Sequence, residues 1–90
     1  MATESRPATA APELLAYVDG LRVDADRMDG YAERLRAAAE RLDGCAGAPE
    51  WSGAALERQA TACVTAAVQL RSAAAALLAH VVERTAVPGR

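Results

Sequence analysis

Ninety residues leave room for one domain, and a chain this short is marginal alone unless a disulfide, a metal or a partner subunit adds stability. Apolar residues make up 52% of it but aromatics only 3%, with no Phe, so the apolar content is Ala, Leu and Val: good helix material that buries little area per residue. A formal charge of −2 with acids and bases interleaved provides no basic patch, which excludes a protein built to grip a run of phosphates. All the basic residues are Arg and none is Lys, a bias that, with the alanine, fits GC-rich coding rather than arginine selected for a task.

The chain opens on Met1-Ala-Thr-Glu-Ser-Arg-Pro7 with no apolar segment behind it, so no cleaved secretory leader is expected. Residues 1–20 read as a flexible tail, in which Pro12 to Gly20 can form two helical turns, Pro suiting a first turn and Gly a stop. Leu21-Arg22-Val23 then reads as extended, opening a helical hairpin over 21–84. Helix 1 is expected at about 24–43, starting at Asp24 as N-cap, with Met28, Tyr31, Leu35, Ala38 and Leu42 at steps of three and four on one face. Gly44 suits a left-handed stop to that helix. The segment 44–53 holds Gly47 and Pro49 and reads as a turn.

Helix 2 is expected at about 54–84. Leu56, Ala60, Cys63, Ala67, Leu70, Ala74, Leu77 and Val81 alternate steps of four and three without a break. A second apolar stripe runs beside the first: Val64, Val68, Ala75, Leu78 and Val82. One neighbour covers roughly a 100° face of a helix, and these two stripes together are wider than that. A lone hairpin would leave one of them wet, so two hairpins packed into a four-helix bundle are expected. The expected hairpin and dimer surfaces comprise Met28, Tyr31, Leu35, Leu42, Leu56, Val64, Val68, Leu70, Leu77, Leu78, Val81 and Val82. Residues 85–90 read as a disordered end. The longest apolar run, Ser72 to Val82, is short for a bilayer, so no stable membrane insertion is expected.

Trp51-Ser52-Gly53 stands between the two amphipathic helices, and Leu21-Arg22-Val23-Asp24 opens the first. Over residues 21–84 the chain resembles the WXG family of small type VII secretion effectors, the early-secreted-antigen-like proteins. The resemblance implies an all-α fold: an antiparallel two-helix hairpin with a Trp-x-Gly turn, pairing as a homodimer or heterodimer with another such hairpin. It implies a substrate or co-substrate of the secretion machinery, made in the cytoplasm and secreted without a cleaved signal peptide. In the family, one partner carries a tail signal, Tyr-x-x-x-Asp or Tyr-x-x-x-Glu. Here Ala79 stands four residues before Glu83, where Tyr is needed, which points to export alongside a tagged partner. The alternative is an intracellular chaperone-like or immunity-like protein that binds the helical targeting domain of a larger secreted toxin.

At the turn, the Trp51 ring can cover the end of the hairpin, and a fully buried ring there implies a loss of about 3–5 kcal/mol on Trp51→Ala. Ser52 can cap helix 2, and Gly53 can serve a crowded backbone. Cys45 and Cys63 lie on the order of 15 Å apart along the hairpin, too far for a bridge. His80 is the only His, so no metal site is expected, and a solvated or rim position suits it. No catalytic constellation and no cofactor motif is present, and a non-enzymatic role is expected.

Overall fold

The structure is a computed structural model that describes residues 6–86, with side chains from 11 to 85. Two helices and no strand are present among the described residues: α1, Arg6–Asp43, and α2, Ser52–Ala86. They pack side by side as a thin rod whose extents are 69 × 23 × 14 Å. Their direction and register are fixed by ion pairs. Arg36 of α1 meets Glu57 near the turn at 3.3 Å, and Arg71 of α2 meets Asp26 at 2.7 Å and Asp29 at 2.8 Å farther along. The hairpin is therefore antiparallel.

The side chains most shielded from solvent are Val18, Ala25, Ala32 and Ala39 on α1, and Ala60, Ala67, Ala74 and Val81 on α2. Each set repeats every seven residues. Seven residues complete close to two turns, so each set forms one line nearly parallel to its helix axis. The register set by Arg71 brings the two lines together, with Ala25 level with Ala74, Ala32 with Ala67, and Ala39 with Ala60. A valine closes the far end on each side. Alanine at the line of contact lets the two backbones approach closely, and the price is a core made largely of methyl groups. Each such methyl contributes on the order of 0.8 kcal/mol, so this line alone stabilises the hairpin weakly.

The α2 register agrees with the expected one, every member of its first stripe being buried or half-buried. For α1 the contact line differs from expectation. Tyr31 is 45% exposed and Ala38 is half-buried, while Ala32 and Ala39 make the contact. The α1 boundary differs as well. The helix begins at Arg6 rather than Asp24, runs through Pro12 and Gly20, and includes Leu21–Val23. A proline inside a helix forfeits one hydrogen bond and a glycine weakens it by roughly 1 kcal/mol. Packing of Val18 and Leu21 against α2 offsets those losses, and local propensity is overridden. Residues 1–5 of the expected flexible tail lie outside the described residues, as do 87–90 of the expected disordered end.

The turn is built by a few backbone bonds. The Cys45 amide donates to the Leu42 carbonyl at 3.0 Å and the Ala48 amide to the Cys45 carbonyl at 3.2 Å. Gly47 has φ +93°, a left-handed value that glycine adopts without a Cβ penalty. Among the described residues it is the only one with positive φ, so the left-handed position falls at Gly47 and not at Gly44.

Candidate interaction surface

The Trp-x-Gly segment sits at the start of α2. The Trp51 carbonyl accepts the Ala55 amide at 3.0 Å, the first bond of the helix, which makes Trp51 the capping position and Ser52 the first residue inside. The Ser52 amide donates to the Pro49 carbonyl at 3.0 Å, and the residue is buried. Three local expectations are thereby corrected. Ser52 is not the N-cap. Trp51 is 69% exposed, so it is not buried over the end of the lone hairpin. A Cβ built on Gly53 meets nothing within 4 Å, so the backbone there is uncrowded.

Cys45 is exposed, Cys63 is half-buried, and both thiols are free. His80 is exposed. Among the described residues no three His, Cys, Asp or Glu side chains gather as metal ligands do.

The larger feature is the distribution of side chains around the contact line. Positions three after each contact residue fall to one side of it: Leu21, Met28 and Leu35 on α1, and Cys63, Leu70 and Leu77 on α2, all half-buried. Leu14, Leu42 and Leu56 extend the same two rows. Because the helices are antiparallel, both rows lie on the same face of the hairpin. The ion pairs locate the opposite face, since Asp29, Arg36, Glu57 and Arg71 all fall three positions before a contact residue and bond across that side. One face therefore carries a double row of large apolar side chains, and the other carries the inter-helix salt bridges.

Around the leucine face, the α1 edge bears Tyr17, Asp24, Tyr31, Arg27, Arg34 and Arg41. Arg34 stacks over the Tyr31 ring at 4.8 Å from its centroid, and Arg27 reaches Asp24 at 3.5 Å. The α2 edge of the same face is small and almost uncharged, being Gln59, Ala62, Ala66, Gln69, Ala73, Ala76, His80 and Glu83.

On the salt-bridge face, α1 presents mainly acids and α2 presents the second stripe. Val68 is 60% exposed and Val82 55%, while Val64 and Leu78 are half-buried. Arg71 interrupts that stripe, and its bonds first to Asp26 and then to Asp29 hold its guanidinium more firmly protonated than usual. The residues expected to form one interaction surface thus divide in three. Met28, Leu35, Leu42, Leu56, Leu70 and Leu77 share the leucine face with Tyr31 at its edge. Val64, Val68, Leu78 and Val82 lie on the other side, and Val81 is consumed in the hairpin contact.

The chain exposes 6545 Å², against roughly 5,000 Å² for a compact monomer of 9.3 kDa. The excess, roughly 1,500 Å², reflects the thin-rod shape and is nearly twice the area of about 800 Å² that a standard interface removes from one partner. By length, and by the mean hydropathy of an 18-residue window within it (1.5), the helix Ser52–Thr85 also meets the composition of a membrane-crossing segment, a property the shorter run Ser72–Val82 did not suggest. No protein-family model, curated protein or solved structure matches this chain.

Proposed function

We propose that this chain is a non-enzymatic pairing protein, a WXG-like hairpin whose leucine face docks a second helical hairpin to complete a four-helix bundle. It serves as a substrate or co-substrate of type VII secretion and leaves the cell with a partner that carries the tail signal. One observation carries the pairing step: a hairpin whose own contact is mostly alanine holds two parallel rows of large apolar side chains half-covered on one face. Alanine contacts give a close but weak core, and the leucines reach full burial only against another molecule. Trp51-Ser52-Gly53 at the head of α2, between two long helices, supports the family reading, and Ala79 in place of Tyr supports the role of the carried partner.

The test is co-expression with small hairpin proteins encoded nearby, followed by mass measurement of the intact complex and sedimentation of the chain alone. A dimer or a complex with a hairpin partner is expected. A well-folded monomer that stays monomeric at high concentration and binds none of them would overturn the proposal. Retention of a paired complex inside the cell, bound to a long toxin, would instead select the chaperone-like alternative.

A further inference from the structure

The salt-bridge face is left open when the leucine face is paired, and its side chains are sorted by helix. The position just after each contact residue is exposed on both helices and stands on this face. On α1 these positions are Asp19, Asp26, Glu33 and Glu40, an acid at every seventh residue. On α2 they are Thr61, Val68, Ala75 and Val82, with no charge among them. Val64 and Leu78 lie just inside the α2 row, and Leu15, 42% exposed, is a further apolar side chain of this face toward the open end. Asp29, Asp43 and Glu57 join the row of four acids, against Arg22, Arg36 and Arg71, so the face carries a net −4 while the whole chain carries −2. All other positions together are therefore net positive, and the negative charge of the molecule is gathered beside the valine stripe.

From this division we infer that the salt-bridge face is a second docking surface, which takes a single amphipathic helix of another protein, bearing Arg or Lys along one edge of its apolar stripe. The inference goes beyond hairpin pairing, which uses the opposite face, and the two partners can be held at once. Seven residues advance a helix by about 10.5 Å. A basic residue at every seventh position of the docked helix thus comes level with one acid of the α1 row after another. Its apolar stripe then covers Val68, 60% exposed, and Val82, 55% exposed, which neither the hairpin contact nor the leucine face can cover. The apolar stripe supplies most of the affinity, while exposed ion pairs add little energy each and act on partner choice. Charge decides the class of occupant. A net −4 repels anionic lipid headgroups and nucleic-acid backbones alike. A second copy of the same face is also disfavoured, since its acids would meet either acids or valines.

The test uses the full chain and a dye-labelled, helix-forming peptide of about three heptads, with Leu along one stripe and Arg at every seventh position on its flank. A second peptide carries Glu in place of Arg. Fluorescence anisotropy at low salt should show the Arg peptide bound about tenfold tighter than the Glu peptide, with the difference fading as salt rises. Glu33→Arg with Glu40→Arg, both at exposed positions, should reverse the preference, an outcome that loss of the fold cannot produce. Val68→Gln with Val82→Gln should weaken the Arg peptide about tenfold and leave its salt dependence in place. Leu70→Gln, on the leucine face, should change it by no more than about twofold, with circular dichroism confirming that each variant is helical. Failure of both peptides to bind, equal binding of the two, or an unreversed preference in the charge-swapped chain overturns the inference. Binding that is lost with Leu70→Gln but tolerates the Val68 and Val82 changes seats the peptide on the leucine face and overturns it as well. Preference of the chain for anionic vesicles over the Arg peptide makes a lipid surface the occupant, which also overturns it. None of these outcomes touches hairpin pairing, which the mass of the intact complex decides separately.

Discussion

Alanine at the contact line sets how near the two helices come, and Ala67 sits in the middle of it with no exposed surface. Replacing it with Leu inserts three carbons where the backbone of α1 lies close. Ala67→Leu should therefore destabilise by about 1–3 kcal/mol or more, although Leu is an equally apolar residue and a good helix former. Denaturant titration measures this, and an unchanged midpoint would show that the helices are not in close contact there. Two glycines give opposite expectations. Gly47 holds φ +93°, so Gly47→Ala should lose about 1 kcal/mol. Gly53 has an ordinary φ and open space around it, so Gly53→Ala should gain about 0.5–1 kcal/mol as helix propensity improves. Trp51→Ala, with the ring 69% exposed, should shift the stability of the lone chain by no more than about 0.5 kcal/mol. Thermal melts of the three variants side by side decide these signs, and a large loss at Trp51 would mean that its ring packs against something.

At the scale of the helices, α2 was legible because its leucines, cysteine and alanines hold one heptad pattern over its whole length. The contact line of α1 was read one position off. Ala37, Ala38 and Ala39 are equivalent in sequence, and Tyr31 is a larger apolar signal than Ala32, yet the small residues are the ones a close contact selects. The start of α1 was hidden by Pro12 and Gly20, two residues whose local cost is met by packing that only the fold supplies. Arg71 could not be assigned from the sequence, since its partners lie 45 and 42 residues away on the other helix. It is exposed, so its bonds to Asp26 and Asp29 are open to screening. Arg71→Ala should lower the melting temperature at low ionic strength, and the difference from the parent should shrink as salt rises. Melting curves across a salt series check this, and a difference that does not respond to salt would show that packing of the Arg71 stem, not its charge, is what α2 uses.

For the whole molecule, the excess of apolar surface was legible from the width of the α2 arc, but its division between two faces was not, because that depends on which line the helices choose for contact. The division bears on the proposed export. A face that must pair before the chain can leave should be sensitive to charge, and the rest of the surface should not. Leu70 and Leu77 lie on the leucine face, and Thr65 is exposed on the outside of α2. A carboxylate buried without a counter-charge costs several kcal/mol, enough to separate most dimers. Expressed without a partner, the chain should stay in the cytosol, since Ala79 stands where the tail signal needs Tyr. Expressed with a tagged hairpin, it should appear outside. Leu70→Asp or Leu77→Asp should abolish its export while the partner's own tail is intact, and Thr65→Asp should leave export unchanged. Immunoblots of cell and medium fractions read the outcome, with the cell fraction confirming that each variant is made and its helix content confirming that it folds. Efficient secretion of the chain expressed alone would place the export signal elsewhere in this sequence and end the carried-partner reading. Export that survives Leu70→Asp and Leu77→Asp, but fails with Val68→Asp, would move the pairing surface from the leucine face to the valine stripe on the opposite side.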